Sequence, residues 1–241
     1  MKLNVTAILK ILLYTGIFST TLPLVFYLLF KLKSKQKSLR VIFFYIFYCI
    51  FNEGLNYYLQ SIQSEKYIYL LYSFTIVEYS FFCSFIYVSV PKSIIKKAIP
   101  YLWGGFAAFE LIDLIFINKG VGFDSFAIGI ECIIVLFLCI SYLFIQLRGS
   151  NSLTIYSTFD FWAVITFLIY FSGTFFLYIL AQSMGRDVAF QRQYFIINIA
   201  FNILKNILLC IAMTMKLNHT VNQQKTVIPE LDDELFFSQK I

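Results

Sequence analysis

Asn198, Asn202 and Lys205 stand at i, i+4 and i+7 inside an otherwise apolar run, with Asn206 at their border. That spacing places three polar side chains on one stripe of a helix. Other apolar runs carry Glu53, Glu78, Glu110 and Glu131, and Asp113 follows Glu110 by three residues, on the same helical face. A lysine among buried carboxylates can staple helices as an ion pair, line a pocket for a ligand or ion, or act as an amine nucleophile; paired carboxylates can serve as acid and base. Four glutamates compete for one lysine, so it cannot neutralise them all, and the others must be protonated, hydrogen-bonded or open to water.

Other chemistry is missing its residues. The single histidine is His219, near the end of the chain, which leaves no multi-histidine zinc site and no Ser-His or Cys-His pair within the apolar runs. The sequence contains no H-E-x-x-H, no phosphate-binding P-loop and no G-x-S-x-G. Cys49, Cys83, Cys132, Cys139 and Cys210 all lie within apolar runs without metal-ligand spacing, so they read as small apolar filler rather than disulfide partners or a metal site. Neither a metal nor a cofactor is expected.

The elements that position these groups follow from composition. Of 241 residues, 60% are hydrophobic and 13% charged, against about 25% charged in soluble domains; mean hydropathy is +0.78. Seven apolar runs, at about 7–30, 39–61, 67–90, 96–117, 122–147, 157–183 and 189–216, are each long enough to cross a bilayer. Backbone polar groups in lipid must be satisfied within the segment, so the runs must be helices. The fold class is all-α, an integral membrane bundle of seven transmembrane helices over residues 1–217, followed by a polar tail over 218–241. The first run is too long for a signal peptide's apolar region and is followed by Lys31, Lys33, Lys35, Lys37 and Arg40, so it reads as a retained span.

Twelve lysines and arginines flank one set of helix ends, including that basic cluster; six flank the other, and Lys205 completes the nineteen. By the positive-inside rule the N-terminus lies outside and the C-terminus in the cytoplasm. The net charge of +6 is then membrane-surface charge, and no nucleic-acid partner is expected. In this frame Glu53, Glu110 and Glu131 fall in the outer halves of their helices, while Glu78 and Lys205 lie near mid-membrane at about 1.5 Å of rise per residue. Glu53 and Asp113, nearer the interface, are expected to be solvated. Asp160, at the start of its helix, reads as a cap or interface residue. The tail carries Glu230, Asp232, Asp233 and Glu234 before Phe236 and Phe237, and is expected to be a solvated end able to dock a cytoplasmic partner.

Two known arrangements bear comparison. Membrane lipid hydrolases of the lysoplasmalogenase type work with acidic residues, and Glu110, Asp113 and Glu131 would be the carboxylates available for that chemistry. Microbial rhodopsins place a retinal-binding lysine in helix 7 against a helix 3 carboxylate, as Lys205 and Glu78 would be. Here, however, helix 7 has an asparagine before the lysine, and helix 6 lacks a proline after Phe161-Trp162 to Tyr170. Transport is disfavoured, because only Pro23 lies deep in a span and no paired Gly/Pro-broken helices occur in corresponding halves. Three stretches, Ile76-Val77-Glu78-Tyr79, Phe161-Trp162 through Phe171-Ser172-Gly173-Thr174-Phe175-Phe176, and Phe201-Asn202-Ile203-Leu204-Lys205-Asn206-Ile207-Leu208, resemble a group of uncharacterised seven-span membrane proteins of Bacteroidetes-type bacteria. The resemblance implies a bacterial inner membrane.

Together these observations predict a sensor or interaction module rather than an enzyme. Its pocket, in the outer half, is expected to be lined by Glu53, Glu78, Glu110, Glu131, Asn198, Asn202 and Lys205 and to take a small molecule, lipid or ion. The output would pass to a cytoplasmic signalling partner.

Overall fold

The structure is a computed structural model; it describes residues 5–31, 34–62, 67–91, 93–117, 125–148, 155–184 and 188–215. The expected tail over 218–241 lies outside the described residues. The regular structure among them is helical: α1 (Val5–Phe30), α2 (Lys37–Ser61), α3 (Tyr67–Ser89), α4 (Ile94–Ile112, continued by a wider π-helical turn over Asp113–Ile117), α5 (Ser125–Arg148), α6 (Phe159–Met184) and α7 (Val188–Thr214). Each contains a stretch of 20 to 25 residues long and apolar enough to cross a membrane. The chain is a multi-pass membrane protein by this measure. With seven crossings, the N-terminal end of α1 and the C-terminal end of α7 lie on opposite sides of the bundle. Residues 122–124 of the expected fifth run lie outside the described residues, and α4 starts two residues earlier than expected, with Ser93 Oγ accepting from the Lys96 backbone N–H at 3.3 Å as its N-cap.

The principal helix contacts close a ring of six: α1 on α2, α2 on α3, α3 on α5, α5 on α6, α6 on α7, and α7 back on α1. α4 stands outside the ring against α3 and α5. Small residues set the closest approaches. The ring of Phe201 on α7 fills the space where a Cβ on Gly173 of α6 would stand, and Ile199 of α7 lies 3.3 Å from where a Cβ on Gly16 of α1 would be. Neither approach tolerates a larger side chain without a shift, which is the packing logic of membrane helix pairs.

The interior of the ring differs between its two halves. Toward the C-terminal side it is filled by rings from α3 and α6: Phe82 meets Phe167 and Phe171 at centroid separations of 4.6 and 4.9 Å, and Phe85 meets Phe167 at 5.6 Å and Phe159 at 6.5 Å. These five rings are buried. Their edge-to-face geometry is the favourable one for aromatic pairs. At the same end, Asp160 on α6 accepts from Ser38 Oγ at 2.7 Å and Gln36 Nε2 at 3.0 Å, tying α6 to the start of α2. Lys31, just past α1, donates to the Met215 carbonyl at 2.7 Å, placing a cation on the unsatisfied carbonyls at the end of α7. Its partial burial pushes the ammonium below the usual lysine range.

Candidate functional site

A cavity of about 430 Å³ occupies the other half of the ring, toward the N-terminal side. It exists because each ring helix that reaches it turns one polar stripe inward. On α2 the stripe is Tyr45, Cys49, Asn52, Glu53 and Asn56; on α7 it is Asn198, Asn202, Lys205 and Asn206. Both run at the three-and-four spacing of one helical face. α6 adds Tyr170 and Tyr178 at eight residues, two turns apart, while α3 adds Thr75 and Glu78 and α5 adds Glu131.

The floor lies at mid-depth, directly on the aromatic filling. Lys205 Nζ donates to the Tyr45 hydroxyl at 2.9 Å, and that hydroxyl donates to Glu78 Oε1 at 2.7 Å. The phenol therefore stands between an ammonium and a carboxylate and relays the charge of each to the other, a geometry in which both bonds are charge-assisted. Lys205 also sits over the face of Tyr170, 4.3 Å from its centroid, and 5.4 Å from that of Tyr45, within the range of cation–π attraction. Lys205 and Glu78 are 6% and 7% exposed, so this layer satisfies its charges almost wholly from protein groups. Tyr45 is held by rings below it, with centroids 5.2 Å from Phe82 and 6.3 Å from Phe167.

Above the floor the walls are tied helix to helix. Thr20 of α1 donates to Glu53 Oε1 at 3.0 Å. Asn206 Nδ2 donates to Ser19 Oγ at 2.9 Å, holding α7 to α1. Asn202 Nδ2 turns back to the Asn198 carbonyl at 3.1 Å, and the Tyr178 hydroxyl reaches Asn198 Oδ1 at 3.4 Å. Tyr178 and Tyr194 meet edge to face at 6.0 Å. Asn52 is 7% exposed, and its Oδ1 is buried without a hydrogen-bond partner.

Of the seven residues expected at the site, Glu53, Glu78, Glu131, Asn198, Asn202 and Lys205 line this cavity and Glu110 does not. Glu110 is fully buried on α4, outside the six-helix ring. Asp113, expected to be solvated, is likewise fully buried. It begins the π-helical turn that continues α4. A direct Lys205–Glu78 pair is replaced by the Tyr45 bridge. Tyr45, Tyr170, Tyr178 and Tyr194 are cavity-lining residues missed from sequence, because in a chain with 17 tyrosines a single one carries little signal. Register holds the usable clue: Tyr45 lies eight residues before Glu53, two turns along the same face. Among the described residues, no three histidine, cysteine or acidic side chains converge closely enough to hold a metal ion.

Comparison with protein-family models, with curated proteins and with solved structures finds no match to this chain.

Proposed function

We propose that this seven-helix membrane protein is a ligand-binding sensor, with the cavity as its receptor site. The observation that carries the reading is the cavity's construction. Five ring helices and α1 each turn polar groups into one enclosed space, and that space ends on a layer of packed aromatic rings. Polar and ionisable groups at membrane depth are expensive, and their convergence on one cavity marks function rather than packing. A staple among α2, α3 and α7 needs only Tyr45, Glu78 and Lys205. Asn198, Asn202, Glu53 and Glu131 go beyond that need.

With the N-terminus outside, as the distribution of basic residues indicates, the cavity faces the exterior of a bacterial inner membrane and the tail lies in the cytoplasm. The described residues consist of helices and short connections, so a bound ligand would be read through helix movement by a partner protein. Of the three carboxylates of the hydrolase reading, Glu131 lines the cavity, while Glu110 and Asp113 lie outside it and would not reach a lipid substrate there. The retinal reading requires an apolar slot beside the lysine, and the groups beside Lys205 are Tyr45, Tyr170, Asn202 and Asn206.

The test is native mass spectrometry of the gently purified protein, followed by thermal unfolding with whatever small molecule or lipid is retained. A retained ligand whose stabilisation disappears in Lys205→Met and Glu78→Gln supports the reading. Ligand stabilisation and partner binding unchanged in both variants would sink it.

A further inference from the structure

The class of ligand follows from the charge and the surfaces of the cavity; the inference rests on the receptor reading above. We propose that the cavity takes an organic cation bearing a primary ammonium group, its nitrogen beside Glu53 and Asn52 and its body against the aromatic wall.

The charge argument comes first. Among the described residues the lining contains Glu53, Glu78 and Glu131 but a single basic side chain, Lys205. That ammonium is engaged by Tyr45 and, through it, by Glu78. Glu53 accepts a neutral hydroxyl, from Thr20 at 3.0 Å, and the charge of Lys205, already bonded to Tyr45, reaches it only at longer range. A half-buried carboxylate with a neutral donor on one oxygen leaves a site of negative potential in a low-dielectric setting, where a cation gains more than in water.

The surfaces agree with the charge. Tyr170, Tyr178, Tyr194, Phe74 and Phe195 present rings to the cavity. Lys205 over Tyr170 at 4.3 Å already shows a cation resting on this wall. Asn52, the residue before Glu53, also lines the cavity, with a buried Oδ1 that accepts no hydrogen bond. A small turn of its amide offers that acceptor to an N–H donor, so a primary ammonium can donate to Glu53 and Asn52 together. The carboxylates are spread over α2, α3 and α5 rather than converging, and among the described residues no group of three could hold a metal ion. The arrangement therefore suits an extended organic cation rather than an inorganic one, and about 430 Å³ is room for a ring and a short chain. A free amine and the ethanolamine headgroup of a phospholipid share this chemistry.

The full-length protein in phosphatidylglycerol nanodiscs is melted with 2-phenylethylamine, with the neutral 2-phenylethanol and with the anionic 3-phenylpropanoate. The amine is expected to raise the melting temperature and to bind at least tenfold more tightly than the alcohol. Glu53→Gln, which keeps shape and the Thr20 contact, and Asn52→Leu should each weaken the amine at least tenfold. A second set of discs containing phosphatidylethanolamine separates the sources. Retention of that lipid in native mass spectra with a weakened amine assigns the headgroup, and unchanged amine affinity assigns a free amine. Equal binding of the alcohol, or amine affinity within twofold of wild type in Glu53→Gln, overturns the proposal. Preference for 3-phenylpropanoate, abolished by Lys205→Met, overturns the cation but keeps the receptor site. No shift with any probe and nothing retained in the mass spectrum removes both.

Discussion

Replacing Tyr45 by phenylalanine removes one oxygen and, with it, the two hydrogen bonds that join Lys205 at 2.9 Å and Glu78 at 2.7 Å. The ring stays, and with it the contacts to Phe81, Phe82 and Phe167 at 5.9, 5.2 and 6.3 Å, so no packing is lost and the change reports on the hydroxyl alone. Two magnitudes compete. Interhelical hydrogen bonds in membranes average only about 0.6 kcal/mol in double-mutant cycles, because the unfolded helices find other partners in the bilayer. Hydrogen bonds to charged groups contribute about 1.5–3 kcal/mol each. The second figure governs here, since both outer groups are charged and neither is more than 7% exposed; losing both bonds should destabilise the fold by about 3 kcal/mol. Unfolding free energies in bicelles, measured by steric trapping, provide the readout, and Tyr48→Phe serves as the control because its ring stacks on Phe74 without a comparable hydroxyl contact. In a Lys205→Met background the same substitution should cost about half as much, because one charged partner has gone. A cost near 0.6 kcal/mol, or an equal cost in both backgrounds, would refute the bridge as a charge relay.

Three further outcomes are expected. Gly173→Val should destabilise by roughly 1–3 kcal/mol, because the Phe201 ring occupies the space its Cβ needs; Gly54→Ala, with nothing within 4 Å, should be neutral or stabilise by up to about 1 kcal/mol through helix propensity, and the same unfolding assay separates them. Asp160→Ala should cost about 1.5–3 kcal/mol by leaving Ser38 and Gln36 without their acceptor, with Asp160→Asn recovering part of it, and a melt in detergent shows both. In a bacterial host, fluorescent-protein fusions at the C-terminus should glow and alkaline phosphatase fusions there should be inactive; the reverse pattern would overturn the outside N-terminus and turn the cavity toward the cytoplasm.

The number and type of the elements were legible in the sequence because a bilayer leaves so few options. An apolar run of twenty residues must be a helix there, whatever its neighbours do. Which helices touch was not legible. Beyond its basic start at Lys96 and Lys97, α4 carries charge only at Glu110 and at Asp113 in the turn that continues it, and nothing in one sequence distinguishes a ring helix from one packed outside it. Depth alone therefore put Glu110 with the other acids, and the helix arrangement then excluded it. The stripe on α7 was readable because asparagine and lysine stand out against an apolar background. Tyr45 was not, because tyrosine is equally at home in a core, at an interface and in a site; only its partners, 160 and 33 residues away in the chain, disclose its role.

The blind end of the cavity decides between receiving a ligand and passing it through. Passage would require the layer below Lys205 to open, parting Phe82, Phe85, Phe167 and Phe171, each of which is at most 2% exposed. Moving one such ring from a packed interior into a wetted path costs roughly 1.5–3 kcal/mol, on the order of 6–12 kcal/mol for four. A ligand that shifts a two-state balance from 1:99 to 99:1 must prefer one state by about 5.5 kcal/mol, so binding in the upper half would have to supply that or more to open the floor. Parting α1 and α2 where they flank the cavity asks far less. The hydrogen bond that joins them there is Thr20 to Glu53, and between membrane helices such a bond contributes about 0.6 kcal/mol on average. A cation drawn to the other oxygen of Glu53 would sit beside the Thr20 bond, and so would act on the softer of the two motions: the wall of the ring would move while its aromatic floor stays shut.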